Sequence, residues 1–397
     1  MNFGNTSKKN TAMSTIIREI QDFIRFFWKT PKDEKAIVFY AEHKGYYPNF
    51  EGLIEELISE HKQMLCYVTS DPHDPILRIS EPRIKNFYIN KLLALFMPLV
   101  NCRVFVMTLT DLNQYHIKRS SNPVHYVYIF HALVSTHMMY RFGAFDYYDT
   151  IFCVGPHQIR EIRKHEEMNA LRKKILIEAG YYRLERIYQA FRKNLLVKPT
   201  SNTKGTILIA PSWGTENVLE SCGERLVAML LKTGYEVIVR PHPETVRRNP
   251  QLIKYLSTKF SSNDRFSLEI SIATDASILQ ADVLICDCSG IAIEFAFGTE
   301  RPVIFIDCPI KIQNQRYEEL GIEPLELGLR QKIGLIISPE KLDSVPQSIA
   351  NLIEDKEKYK QRLARLRGEN VFAFGQSSKV CAQYIIDIVN GNNEESL

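Results

Sequence analysis

The stretch from Thr206 to Asp307 decides the fold of this chain, because it alternates short buried strands with helices. Its first signature is YEVIVRPHP (residues 235–243), in which an apolar strand runs into an Arg-Pro-His-Pro turn. Its second is ADVLICDCSGIAIEFA (residues 281–296), in which an apolar strand runs into an Asp-Cys-Ser-Gly turn and then a helix. In an open α/β sheet, ligands bind outside the carboxyl ends of the strands. Both signatures therefore end where a ligand is expected.

The residue types in these two turns are suited to a phosphate. Ser289 and Gly290 would open a helix, where free backbone N–H groups and the helix dipole attract an anion, and a glycine permits close approach. Glu294, one turn further on, can reach a ribose hydroxyl. Arg240 and His242 add a fork of donors and a titratable ring. The simpler alternative is an ordinary N-capped turn between a strand and a helix.

The length and composition indicate a globular protein of two domains. The chain has 397 residues, of which 45% are hydrophobic and 24% charged. Its net charge of +4 is too small to argue for nucleic acid as a partner. The sequence contains neither a recognisable signal peptide nor a run of 18 apolar residues, so we expect no transmembrane span.

The cysteines and acidic residues do not form a metal pattern. The eight cysteines are scattered without a CxxC pair, and Cys286 and Cys288 alternate along a strand end, so zinc binding is not expected. Free thiols in a large α/β protein are typical of the cytoplasm. Because no Asp-x-Asp pair stands out either, the sequence predicts no metal and no cofactor.

Two successive arrays of strands and helices predict two Rossmann-like domains that face a cleft. The first array begins at the apolar strand Ala36 to Tyr40, and the second restarts after the polar stretch Lys198 to Gly205, the clearest linker in the chain. A last amphipathic helix, Ser378 to Val389, is predicted to return to the first domain. The predicted boundaries are a tail and helix over 1–35, a first domain over 36–198, a second over 199–375 and a C-terminal helix and tail over 376–397.

Two N-terminal segments are unusually apolar. Ser14 to Lys29 is predicted to be an amphipathic helix with aromatic residues and basic flanks, which either lies in a membrane interface or docks on the protein's own core. Asn86 to Val100 is too short to span a bilayer. It is predicted to be a buried helix or a second surface that dips into lipid.

Two histidines are candidates for a catalytic base. His131 directly follows the apolar strand Val124 to Phe130, so we expect its ring to project into the cleft. The ordinary pKa of histidine lies near neutrality, which suits removal of a proton from a hydroxyl. His137, six residues later in a predicted helix, is the competing candidate.

Taken together, these motifs resemble the CDP-glycerol glycerophosphotransferase family, the teichoic-acid primases and polymerases of GT-B fold. The segments that carry the resemblance are ILIAPSW (residues 207–213), RPHP (240–243) and the run from Ala281 to Asp307, which includes RPVIF (301–305). The resemblance covers roughly residues 124 to 390. It implies the GT-B fold and a nucleotide-activated donor such as CDP-glycerol.

The resemblance also implies roles for individual residues. In the family, the histidine of the His-Pro motif and the serine turn hold the donor pyrophosphate, which maps to His242 and Ser289. The catalytic base follows a strand of the first domain, which maps to His131 in Phe-His-Ala, where the family has Trp-His-Gly. Ser212 and Asp287 lie in the matching segments and are counted with the donor site.

The function predicted from these observations is transfer of a glycerol-phosphate or related group from a CDP-linked donor to a hydroxyl acceptor, which is lipid-linked or a saccharide. The expected place is the inner face of the cell membrane. One alternative is a GT-B glycosyltransferase that uses a UDP- or CMP-sugar, because Ser-Gly-x-x-x-Glu also resembles the ribose-binding turn of those enzymes. Others are a non-catalytic nucleotide-sugar-binding protein and a 2-epimerase-like enzyme, for which Asp111 or Asp287 would supply the acid.

Overall fold

The computed structural model describes residues 4–194, 204–270 and 274–392. Within them the chain forms two compact units. The first consists of Met1–His131, Arg141–Tyr182 and Phe372–Leu397, and the second of Ala132–Tyr140 and Arg183–Val371. Most of the predicted linker, and the predicted domain boundary at 198/199, lie outside the described residues.

The first unit is built on a parallel sheet of seven strands in the order β3-β2-β1-β4-β5-β6-β7. Val/Ile/Phe-rich runs that are buried on both faces are typical of such sheets. The order reverses between β1 and β4, which makes the carboxyl ends of these two strands the topological switch point. The strands are β1 (Ile37–Ala41), β2 (Leu65–Thr69), β3 (Ile84–Tyr88), β4 (Val104–Met107), β5 (His125–Ile129), β6 (Thr150–Cys153) and β7 (Ile175–Glu178).

The second unit contains a parallel sheet of six strands in the order β10-β9-β8-β11-β12-β13. It has the same doubly wound order as the first sheet, with its switch point between β8 and β11. The strands are β8 (Thr206–Ile209), β9 (Glu236–Val239), β10 (Phe266–Leu268), β11 (Val283–Cys286), β12 (Val303–Ile306) and β13 (Gly334–Ile337). The prediction of two Rossmann-like arrays is therefore confirmed.

Helices connect the strands of the two sheets. They are α1 (Gly4–Ile24), α2 (Tyr47–Ser59), α3 (Leu93–Leu99), α4 (Thr136–Met139), α5 (Pro156–Met168), α6 (Tyr182–Asn194), α7 (Val218–Ser221), α8 (Gly223–Lys232), α9 (Pro243–Arg248), α10 (Pro250–Phe260), α11 (Ala276–Gln280), α12 (Gly290–Thr299), α13 (Leu325–Ile333), α14 (Val345–Glu354), α15 (Lys356–Asn370) and α16 (Ser377–Val389). None of these described helices is both long and apolar enough to cross a bilayer.

The C-terminal helix α16 belongs to the first unit, as predicted. It packs on α2, and its side chains Ala382 and Ile385 are buried in the first unit's core. Two other segments belong to a different unit from the one that the predicted domain boundary gives them. The segment Ala132–Tyr140, inside the predicted first domain, and nearly all of α6 belong to the second unit.

The N-terminal helix α1, followed by a π-helical turn at Arg25–Lys29, has a docked face and an exposed face. On the docked face, Glu19 accepts hydrogen bonds from the backbone N of Asn90 and of Leu92, at 2.6 and 2.8 Å. The ring of Phe26, on the same face, lies 4.7 Å from that of Phe96. The prediction of a core helix therefore describes one face, and the other face remains open to solvent.

The apolar segment Asn86 to Val100 is not one helix. Its first residues complete the edge strand β3, which pairs in parallel with β2, and only Leu93–Leu99 is helical. The β-prone pair Phe87 and Tyr88 explains why the strand wins over the helix there.

Candidate active site

The switch point of the second sheet brings together the loops that follow β8 and β11. The backbone N of Ser212 donates to Oδ1 of Asp287 at 2.8 Å, so the two loops are tied across the switch point. Asp287 is almost fully buried, and burial raises its pKa while the bond from Ser212 opposes the rise. Both residues were predicted to bind the donor. These contacts instead support a role for Asp287 in holding the loop that carries Ser212.

Helix α12 begins at Gly290 with Ser289 as its N-cap, as predicted. The backbone of Ser289 is extended, and its side chain makes no capping hydrogen bond. The hydroxyl of Ser289 and the first backbone N–H groups of the helix therefore lie at the carboxyl end of β11 and are not hydrogen-bonded to each other. This arrangement binds a phosphate in other α/β proteins.

Gly290 has a packing constraint besides the predicted one. A Cβ built there would lie 2.9 Å from Cγ1 of Val134 and 3.8 Å from Cβ of Ala132. A side chain at this position would therefore require Val134 to shift. The prediction that this glycine also admits a phosphate stays a prediction.

Glu294 is held in an ion network and not left open toward a ligand. It is buried, and its Oε2 accepts from Nε of Arg183 at 3.1 Å. Arg183 also pairs with Asp275 at 3.2 Å, and Arg186 pairs with the same carboxylate at 2.7 Å. Breaking one partner of such a buried pair is costly. The predicted contact of Glu294 with a ribose would have to share this carboxylate with Arg183.

Arg240 is likewise buried, with 5% of its surface exposed. Its Nη1 donates to Oγ of Ser277 at 3.2 Å and lies 4.0 Å from Oε2 of Glu269. These contacts direct its guanidinium toward α11. Its predicted role as a fork of donors for a phosphate stays a prediction.

His242 is half-buried and caps helix α9. Its Nδ1 accepts a hydrogen bond from the backbone N of Glu244 at 3.1 Å, which leaves the proton of the neutral ring on Nε2. Burial, and then the charge of Lys311, lower the pKa of His242 to about 4. The ring is therefore a neutral hydrogen-bond donor at physiological pH, and the expectation that it titrates there is corrected.

His131 lies in the first unit, two residues after the end of β5. Its ring makes an edge contact with the ring of Tyr46, with 5.1 Å between centroids. Burial, and then the nearby His43, lower the pKa of His131 to about 4. The pKa is therefore further from neutrality than the sequence suggested, and the ring is neutral and able to accept a proton over the whole physiological range.

His137 belongs to the second unit, on the short helix α4. Its Nε2 donates to the carbonyl of Ile322 at 2.9 Å, and its own carbonyl accepts from Nδ2 of Asn314 at 2.9 Å. These bonds attach the segment Ala132–Tyr140 to the loops before α13. They give His137 a role in packing, and its competing role as the base stays a prediction.

Sequence reasoning missed Lys311 and named Trp213 only as the last residue of the ILIAPSW segment; both lie beside His242. Nζ of Lys311 lies 3.5 Å from the centre of the Trp213 ring, and the ring of His242 lies 6.2 Å from it. The signal was available, because Lys311 follows β12 by five residues and so comes after another strand end of the same sheet. Among the residues that the structure describes, no cluster of His, Cys, Asp and Glu could hold a metal ion.

The profile of the CDP-glycerol:poly(glycerophosphate) glycerophosphotransferase family matches residues 22–312. The chain belongs to this family. The family found in the sequence is confirmed, although the match begins at residue 22 and ends at residue 312, where the sequence resemblance covered roughly residues 124 to 390. The protein is a transferase of the glycerophosphotransferase class. The predicted nucleotide-activated donor and acceptor fit a family that acts with CDP-glycerol and poly(glycerophosphate).

Solved structures show the fold. A structure of the wall teichoic acid polymerase TagF with CDPG superposes with a TM-score of 0.60 at 12% identity, covering 99% of this chain and 100% of that one. The S. aureus MnaA–UDP structure gives 0.59 at 16% identity, covering 90% and 97%. A putative UDP-N-acetylglucosamine 2-epimerase from Listeria monocytogenes gives 0.56 at 13% identity, covering 91% and 98%. These likenesses confirm the GT-B fold. No curated protein sequence matches the chain.

Proposed function

We propose that this enzyme transfers glycerol phosphate from CDP-glycerol to a hydroxyl group of a lipid-linked or polymeric acceptor in teichoic-acid synthesis. The acceptor oxygen forms a bond to the phosphorus that carries glycerol, and the bond from this phosphorus to the oxygen shared with CMP breaks. The products are a phosphodiester, CMP and a proton. The match of the family profile over residues 22–312 is the observation that supports this proposal most strongly.

In this proposal the second unit binds the donor. The first turn of α12, with Ser289, donates hydrogen bonds to the phosphates from backbone N–H groups, and neutral His242 donates from Nε2. Donors that are already in place where negative charge develops lower the barrier without any rearrangement at the moment of reaction. The buried network of Arg183, Glu294 and Asp275 supports this edge of the sheet.

The first unit supplies the base in this proposal. His131 takes the proton of the attacking hydroxyl, and the edge contact with Tyr46 orients its ring. A base with a pKa near 4 is neutral at pH 7, so it needs no activating deprotonation. His131 is a weaker base than an ordinary histidine, so more of the rate enhancement must come from stabilising the charge on the departing CMP.

The exposed apolar side chains of α1, α3 and the turn at Arg25–Lys29 support a place at the inner surface of a membrane. Trp28 is 72% exposed, an unusual state for tryptophan. The exposed basic residues Lys29, Lys32 and Lys91 are close in sequence to these apolar residues and would attract anionic lipid. The exposed apolar side chains of these elements are Met13, Ile16, Ile17, Ile20, Ile24, Trp28, Leu95 and Leu99.

Replacing Ile17, Ile20 and Ile24 together by serine is expected to weaken binding to phosphatidylglycerol-containing vesicles by more than about 1,000-fold, because each isoleucine that is buried in the membrane contributes about 1.5–3 kcal/mol. Co-sedimentation measures this. Met168, which is 47% exposed on α5, offers the control Met168→Ser, which should bind as the parent does. Deleting residues 1–30 is a poorer test, because it also removes the docked face with Glu19. Equal sedimentation of the triple variant and the parent would argue against the membrane proposal.

A thermal-shift series with CDP, CMP, UDP and GDP tests the donor class. A ligand that binds only the folded state at 100 times its Kd stabilises it by about 2.7 kcal/mol. We expect CDP to raise Tm clearly and UDP or GDP to raise it little. A preference for UDP would favour the glycosyltransferase or epimerase-like alternative, and a lack of response to every nucleotide would contradict a nucleotide-dependent enzyme of any kind.

A further inference from the structure

Two cations lie over the ring of Trp213, in the loop between β8 and α7. Nζ of Lys311 is 3.5 Å from the ring centre, and the guanidinium carbon of Arg248 is 4.3 Å from it. A cation over an indole face is attracted by the negative face of the ring. The ring therefore supports positive charge at this position.

The two cations differ in their partners. Arg248 has a carboxylate, because its Nε donates to Glu244 at 2.9 Å. Lys311 makes no hydrogen bond or salt bridge with any residue in the described part of the chain, and the Trp213 ring is its contact there. Burial, and then the charge of Arg248, lower its pKa to about 8. The carboxylates of Glu244 and Asp287 act on Lys311 in the opposite sense, raising its pKa, but neither forms a salt bridge with it. A half-buried ammonium beside another cation and without a paired carboxylate is unfavourable unless an anion joins it.

The position of this cluster matches that of the donor site. Trp213 follows β8, His242 follows β9 and Lys311 follows β12, and all three belong to the same parallel sheet. The field of Lys311 contributes to the lowered pKa of His242, and the carboxylate of Asp287 acts on Lys311 in turn. The ammonium is therefore within electrostatic range of the residues at the switch point.

We propose that Lys311, positioned by Trp213, binds the phosphate groups of the CDP-linked donor and offsets the charge that develops on CMP as it leaves. When the bond between phosphorus and the bridging oxygen breaks, the electron pair remains on that oxygen, and CMP gains one negative charge. Lys311 supplies the compensating charge without transferring a proton. This inference rests on the proposed function, since it assigns a residue to the donor of that reaction.

Calorimetric binding of cytidine, CMP and CDP to the full-length protein tests it. A hydrogen bond from a charged group contributes enough for Lys311→Gln to weaken CMP and CDP binding by about 10- to 100-fold, with cytidine unchanged. Lys311→Arg, which keeps the charge, should retain most of the affinity. Lys254→Gln, at an exposed lysine of α10, is the control and should match the parent.

Trp213 is tested as a positioning residue by the pH dependence of CDP affinity. In the parent, affinity should fall as pH rises above about 8, because Lys311 then loses its proton. Trp213→Phe, which keeps an aromatic face, should preserve this fall, and Trp213→Leu should weaken it together with the preference for CMP over cytidine.

Three results would overturn the inference. Lys311→Gln could bind CMP as the parent does, or could lose cytidine and CMP equally, which is the signature of a purely structural lysine. If the parent itself bound no cytidine nucleotide, the proposed function would fail and the inference with it. Normal binding and turnover by the parent, with an unaffected Lys311→Gln, would refute the inference alone.

Discussion

Replacing His131 by glutamine is expected to slow transfer by about 10²–10⁴-fold, the usual contribution of a general base. Glutamine keeps the size and polarity of the side chain but cannot take a proton. The affinity for CDP should stay within a factor of about two of the parent value, because the proposed donor residues belong to the second unit, which has its own core. Steady-state rates and calorimetric binding on the same preparations separate the two effects.

The pH profile gives this prediction a second readout. Because burial lowers the pKa of His131 to about 4, the base stays neutral until the pH falls toward that value. The rate should therefore show no acid limb near pH 6.5, where an ordinary histidine titrates. His137→Gln is the matched control, since His137 donates to Ile322 and serves the packing of its segment. A fully active His131→Gln beside an inactive, folded His137→Gln would reverse the assignment.

Replacing His242 by alanine is expected to weaken CDP binding by about tenfold or more, because a donor to the phosphates is lost. His242 has a structural role in addition to the proposed binding of phosphate. His242 also caps α9 through Nδ1, and the loss of a cap costs roughly 1 kcal/mol of stability. Asparagine is a good N-cap, so His242→Asn should keep stability near the parent value and still lose affinity.

Thermal unfolding and CDP binding of both variants distinguish these roles. The expected pattern is a lowered Tm for His242→Ala only, with weaker CDP binding in both. If His242→Asn bound CDP as tightly as the parent, the ring would be a structural cap and the phosphate would be held elsewhere. At pH 6 and pH 8 the contribution of His242 should be the same, because a ring with a pKa near 4 is neutral at both.

The fold could be predicted from the sequence because buried strands and helices alternate twice, and this alternation permits few topologies. The exceptions have local causes. Residues 86–100 are apolar without interruption, so a strand and a helix could not be told apart by periodicity. The exchange of Ala132–Tyr140 into the second unit depends on contacts such as that of His137 with Ile322, 185 residues away. Sequence spacing carries no signal for such a contact.

The local geometry of the candidate site was easier to predict than the long-range contacts of its residues. The helix start at Ser289 follows from local sequence, because turn chemistry is short-range. The partner of Glu294 does not, since Arg183 precedes it by 111 residues. The packing constraint on Gly290 depends on Val134 in the same way. Burial also moved the pKa values of both histidines, an effect that only the packed structure reveals.

The central claim is the transfer of glycerol phosphate from CDP-glycerol, and the release of CMP measures it most directly. The full-length protein would be incubated with CDP-glycerol and a lipid-linked glycerophosphate oligomer, with CMP and new phosphodiester quantified together. We expect equal amounts of both from the parent and at most about 1% of that rate from His131→Gln. CMP formation without the acceptor product, or consumption of a UDP-sugar in place of CDP-glycerol, would contradict the account.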